Sequence, residues 1–220
     1  DIIKPVRFLN DSIKTRPNVM LIVLESFGRE YVGAFNENKN IENYKSYTPF
    51  LDSISKNSLI FTNAFSNGRQ SIEALPAILS SIPSFKVPYT SSPFSNQKIQ
   101  SLVSVFNDLD YETSFFHGAP NGSMGFTGLS NIMGFDNYFG KNEFNDDSLY
   151  DGYWGIWDEP FFQFAKNKID GMRKPFFATL FSLSSHEPFK VPKNYENKYP
   201  TGEIDMHQVV GYTCLLYTSD

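Results

Sequence analysis

The sequence predicts an α/β domain built on a central, mostly parallel sheet sandwiched by helices. Three observations carry that expectation. Apolar runs of strand length, Val19–Leu24 and Phe176–Leu183, have no alternation, as in strands buried on both faces. Segments with amphipathic spacing, such as Ile99–Leu109, fall between the apolar runs, and alternation of the two types is the pattern of α/β folds. The 220 residues suffice for one substantial core, and 40% hydrophobic with 20% charged residues is a globular balance.

Taken in order, residues 1–16 mix charged and apolar groups and are expected to form a connector. Pro17 favours an extended entry into a central strand over Val19–Leu24. Asn36–Ser46 is asparagine-rich and expected as loop. Thr48 then caps a helix with Pro49 in its first turn, running to about Lys56. Leu59–Ala64 is expected as a second strand and Ser71–Ser81 as a helix that tolerates Pro76 near its start. The Ser- and Pro-rich stretch 85–96 reads as loop, Thr113–Phe116 as a short strand, and Ala119–Gly128 as a glycine-rich loop approaching something closely. Leu129–Met133 suggests a short helix and Asn142–Tyr150 a loop. Asp158-Glu159-Pro160 opens a helix to about Ile169, with acids at its positive end. Asp205–Thr213 starts another.

A net charge of -5 without a Lys/Arg cluster argues against a nucleic-acid partner. An aromatic share of 16%, with 22 Phe and 12 Tyr, points to aromatic-rich packing or a sugar- or lipid-facing surface. The only cysteine, Cys214, opens a run, residues 214–220, that reads as a translated sequencing adaptor rather than natural protein.

Two features carry chemistry. Glu25 follows the apolar run Val19–Leu24, so its carboxylate is expected at the carboxyl edge of the sheet, where open α/β folds place ligands. Ser71 opens a helix three residues after Gly68, beside free backbone N–H groups that suit a phosphate or sulfate ester. Together they suggest a hard metal ion held by the carboxylate and a serine nucleophile. Taken singly, Glu25 is a strand-end carboxylate and Ser71 a plain N-cap. His186, after the second buried strand, is a candidate phosphate contact. His117 is a candidate pocket residue, and Asn121 either a substrate amide donor or a cap of the glycine loop. Trp154 and Trp157 read as packing and His207 as solvated, while Arg69 either faces an anionic ester or, as is commoner, is a surface arginine.

The order of Asn18-Val19 to Glu25-Ser26, Thr48-Pro49-Phe50-Leu51, Gly68 to Ser71, Phe116-His117-Gly118, Gly134-Phe135-Asp136 and Leu183-Ser184-Ser185-His186-Glu187-Pro188-Phe189 resembles the lipoteichoic-acid synthase and phosphoglycerol transferase group of the alkaline-phosphatase/sulfatase superfamily. The resemblance covers about Pro17 to Thr213. It implies a partial catalytic domain over 17–213, lacking its C-terminal side, on the extracytoplasmic face of a cell membrane and anchored by upstream helices. It further implies that Glu25 and Ser71 bind a divalent metal, manganese first and magnesium or zinc as alternatives. Ser71 is then the nucleophile, His186 and His117 serve the substrate, and the partners are a phospholipid or an envelope glycan.

Two departures stand out. The family's later Asp-His ligand pair does not occur in this chain, so the fragment is expected to be inactive. A tryptophan and an arginine that grip glycerol phosphate in lipoteichoic-acid synthases are replaced by Met124 and Phe126. The sequence therefore favours a metal-dependent phosphoryl-group transferase or phosphodiesterase working through a covalent Ser71 intermediate. The alternatives are a sulfuric-ester hydrolase-like enzyme or a non-catalytic glycan-binding relic. Against an arylsulfatase, Glu73 and Leu75 stand where its maturation motif needs proline and arginine.

Overall fold

Four parallel strands form the sheet, in the order β1 (Val19–Val23), β4 (Phe176–Phe181), β2 (Glu112–His117), β3 (Asn137–Phe139). This is a computed structural model describing residues 15–39, 42, 45–84, 86–199 and 201–215. Helices α1 (Pro49–Ser55), α2 (Ser71–Ser80), α3 (Leu102–Asp108), α4 (Phe126–Met133), α5 (Lys141–Phe144), α6 (Asp158–Asp170) and α7 (Asp205–Leu215) complete the regular structure, with short 3-10 turns between them.

The register aligns the strand ends. Val23 and His117 both pair with Phe181, so β1, β4 and β2 finish in one row and their following loops share one edge. Side chains alternate across the pleat. Phe115, Phe177 and Phe181 pack on one face with Leu75 and Leu79 of α2, Val103 of α3 and Leu129 and Met133 of α4. Phe116, Ala178 and Leu180 pack on the other with Phe161 and Ala165 of α6 and Val209 and Tyr212 of α7. All six residues of β4 are buried, as the unbroken apolar run requires.

Two expectations about elements need correction. Residues 59–64 form no strand. Leu59 and Phe61 are 82% and 72% exposed, and the sheet offers that segment no partner among the described residues. Apolar, β-prone residues make a strand only when a ladder receives them. Conversely, β3 was not foreseen. Its three residues gain their conformation from pairing with Ser114–Phe116, not from a pattern of their own.

Smaller shifts concern helix ends. Thr48 occupies the N-cap position of α1, but its hydroxyl accepts from Gly33 N–H at 2.9 Å and donates to Asp52, tying in a loop instead. Residues 142–150, read as loop, contain the end of α5 and a 3-10 turn at Asp147–Leu149. α7 continues past Thr213 to Leu215, and Cys214 is buried. Of the expected connector, only residues 15 and 16 are described, and Arg16 donates to the Leu109 carbonyl at 2.6 Å. Residues 1–14 and 216–220, which include most of the terminal run, lie outside the described residues.

Candidate active site

Glu25 stands two residues beyond the end of β1, and Ser71 is the first residue of α2. Gln70, not Ser71, takes the N-cap position, while the Glu73 carboxylate accepts from the N–H groups of Arg69 at 2.6 Å and Gln70 at 3.1 Å. Because Glu73 satisfies that start of the helix, the Ser71 hydroxyl is free for another partner. It donates to Glu25 Oε2 at 2.6 Å. The other carboxylate oxygen accepts from Ser26 Oγ at 2.9 Å, with Ser26 in the left-handed region at φ 57°. Two elements 46 residues apart thus bring the two oxygens together at the carboxyl edge of the sheet.

These groups line an open cleft of about 660 Å³ whose walls include Glu25, Ser71, Arg69, Met124, Trp154 and His186. His186 is held at its rim. Its ring centroid lies 3.9 Å from that of Trp154, and its Nδ1–H donates to the Glu187 carbonyl at 3.3 Å, leaving Nε2 free. Trp154 is fixed in turn by its indole N–H, which donates to the same carbonyl at 2.6 Å. Arg69 is the one cationic side chain among the described residues lining this cleft.

The structure does not bring the other two candidates there. His117, at the end of β2, is 1% exposed and packs against Phe126 and Phe181. Its Nδ1–H donates to the Phe181 carbonyl at 3.2 Å, and Nε2 has no partner. Burial pushes its pKa down to about 4, so the ring is neutral at pH 7. It lies behind the pocket wall because β2 is an inner strand whose end is covered by α4. Asn121 does not line the cleft either. Its amide donates to both oxygens of Glu143 at 3.0 Å, and its carbonyl accepts from Asn142 N–H, so it ties the glycine loop to α5.

Sequence reasoning missed Trp154 as a cleft residue, favoured the surface for Arg69, and placed Met124 near substrate only through the resemblance. Trp154 gives no periodic signal, since it sits in a turn built around Asp151, whose carboxylate accepts from three successive N–H groups. Phe126, standing where the resembling synthases carry arginine, is completely buried against Phe115 and Phe181. His207 is not solvated but stacks on Tyr47 at 4.2 Å.

Glu25 and Ser71 present two hard oxygen donors close enough to share a divalent cation, and that much of the expected metal site fits. Among the described residues no group of three or more His, Cys, Asp or Glu is placed to hold a metal.

The model of the sulfatase family matches residues 17–218. The chain belongs to the sulfatase family. It is 24% identical over 179 residues to the lipoteichoic acid synthase-like YvgJ of Bacillus subtilis, an alignment covering 79% of this chain and 28% of the relative. Its fold is similar to a Vibrio parahaemolyticus protein of the alkaline phosphatase superfamily, with a TM-score of 0.78, 21% identity, and 92% of this chain on 49% of that one. It is also similar to the lipoteichoic acid synthase LtaP of Listeria monocytogenes, with a TM-score of 0.74, 24% identity, and 91% of this chain on 50% of that one. This sulfatase-family chain therefore spans under a third of the curated relative and about half of each of these two structures.

Proposed function

We propose that this chain is the nucleophile-bearing part of a phosphoglycerol-type phosphoryl-group transferase or phosphodiesterase, acting through Ser71 on a phospholipid head group or a cell-envelope glycan. The observation that carries the reading is the 2.6 Å hydrogen bond from Ser71 Oγ to Glu25 Oε2 inside a cleft at the carboxyl edge of the sheet. A serine hydroxyl is a poor nucleophile until an adjacent group takes its proton, and Glu25 is placed to do so. In the first half-reaction Ser71 Oγ bonds to the phosphorus of a diester, the ester bond to the lipid alcohol breaks, and the departing oxygen takes up a proton. In the second, a hydroxyl of a glycan or of water attacks phosphorus and Ser71 Oγ leaves with a proton restored.

Arg69 beside Ser71 offers a guanidinium to the phosphoryl oxygens, and His186, when protonated, offers Nε2–H. The apolar wall at Met124, with Phe126 buried behind it, stands in place of the tryptophan–arginine grip of lipoteichoic-acid synthases, which leaves Arg69 and His186 to hold the phosphoryl oxygens. A divalent cation at Glu25 and Ser71, manganese by the resemblance, would lower the proton affinity of the hydroxyl and neutralise phosphoryl charge, with at least two further ligands needed to complete its shell. By the same resemblance the site faces the extracytoplasmic side of a membrane. No helix among the described residues is long and apolar enough to cross one, so that anchor belongs to the resemblance alone.

The test uses the full-length protein with a fluorescent phosphatidylglycerol donor and manganese. Ser71→Ala is expected to abolish turnover, with a loss of at least ~1,000-fold, and to leave the melting curve unchanged, because one oxygen at a helix start is removed. Ser71→Thr is expected to retain part of the activity. Turnover by the alanine variant near the parent rate would reduce Ser71 to a structural hydroxyl.

A further inference from the structure

The segment that follows β4 carries three buried serines, and two of them hold the backbone of Glu25. Ser182 Oγ accepts from Glu25 N–H at 2.8 Å, and Ser185 Oγ donates to the Glu25 carbonyl at 2.5 Å. The same segment is gripped from its other side by one carboxylate at the start of α6. Leu183 N–H donates to Asp158 Oδ1 at 2.7 Å and Ser184 N–H to Asp158 Oδ2 at 3.0 Å, while Asp158 N–H donates back to Ser184 Oγ at 2.9 Å. Thr213 of α7 adds a longer bond of 3.4 Å. The turn then closes through His186 N–H to the Leu183 carbonyl at 3.2 Å, which sets His186 on Trp154.

Asp158 is 1% exposed and forms no salt bridge among the described residues. Burying a carboxylate without a counter-charge costs several kcal/mol unless hydrogen bonds replace its water. Packing alone would be served by an apolar residue. The short, nearly symmetric bonds all go to the two amides and the hydroxyl of one segment, and that segment is shared with Glu25 and His186.

We propose that Asp158 is a positioning residue of the Ser71–Glu25 site: its carboxylate fixes Leu183 and Ser184, and through them the serine pair that holds Glu25 and the turn that presents His186. This rests on reading Ser71 and Glu25 as the reacting site, although the clamp can be tested without turnover. Asp158→Asn keeps size and replaces one acceptor oxygen by an N–H₂ group facing a backbone N–H, which breaks half of the clamp.

The readouts are amide exchange and the near-ultraviolet circular dichroism of Trp154, whose indole lies on the His186 ring, both taken at one fixed pH. In the parent, Leu183 and Ser184 are expected to be protected like β4 although they lie outside any strand. His186→Gln is expected to change the Trp154 signal and to leave that protection in place. Asp158→Asn, held well below its own melting temperature, is expected to lose the protection and to change the Trp154 signal in the same sense, while keeping its far-ultraviolet circular dichroism and a cooperative melt. A folded Asp158→Asn variant with parent protection and a parent Trp154 signal overturns the proposal. Should the asparagine variant not fold, exchange in the parent decides, and rapid exchange at both amides overturns the clamp. Ser71→Ala turnover is independent of either readout, so failure of the clamp and failure of the nucleophile remain distinguishable.

Discussion

His117 and His186 both follow apolar strand residues, and the fold treats them in opposite ways. His186 comes five residues after β4, in a turn pinned by Asp158, and reaches the cleft rim. His117 is the last residue of β2 itself, so the sheet and α4 enclose it. Its buried ring makes a sharp prediction. The native pKa of about 4 lies below the unfolded value near 6.5, so the unfolded chain binds the extra proton between those pH values. Stability from this site is therefore full above about pH 6.5 and lost as pH falls to about 4, by about 3 kcal/mol in all. Asp158 acts in the opposite sense, because burial pushes its pKa up to about 7 and the native state holds its proton more tightly than the unfolded chain. The His117 share is thus isolated as the difference between the parent and His117→Phe in denaturant midpoints across that window. A difference that does not change with pH would contradict a buried neutral imidazole.

At the residue scale, Glu25 and Ser71 were legible because each stands at a position that secondary structure itself marks, a strand end and a helix start. His117 was not, because a terminal strand residue and a loop residue differ only in what covers them. Asn121 was half legible. Its glycine loop was expected, but its tie to Glu143 depends on α5, which no pattern announced.

Among elements, β4 shows why the long apolar run was the clearest signal. It is central, so both faces need apolar residues, and Phe177 and Ala178 point to opposite clusters. The run 59–64 has similar composition without a neighbouring strand among the described residues and stays exposed. Sequence reports the tendency to pair, not the presence of a partner. In α2, Pro76 falls inside the helix, yet the helix continues to Ser80 and ends where Ser81 turns left-handed at φ 55°. The face that positions α2 rests on Phe115, which is 0% exposed and contacts the rings of Phe126, Phe135 and Tyr138. Phe115→Ala is expected to cost about 3–5 kcal/mol, read as a lower urea midpoint with an unchanged slope. A loss under ~1 kcal/mol would mean that the α2 face of the sheet is not packed as described.

On the scale of the whole molecule, topology rather than any single motif assembles the site. Parallel strands that end in one row deliver Glu25, the Ser182–His186 segment and Gly118 to one edge, and α2 returns over that edge to bring Ser71 from far along the chain. The chain belongs to the sulfatase family, and its fold class was legible from strand–helix alternation alone. The cleft wall was not. Arg69, Met124 and Trp154 come from three separate loops whose convergence only the folded chain reveals.

The covalent intermediate is proposed to form on Ser71. The most direct measurement is mass spectrometry of the tryptic peptide Gln70–Lys86 after acid quench of the full-length protein turning over a phosphatidylglycerol donor. A phosphoglycerol-type adduct localised by fragmentation to Ser71, and absent from Ser71→Ala, is expected. Steady turnover with that peptide unmodified, or an adduct on another residue, would contradict it.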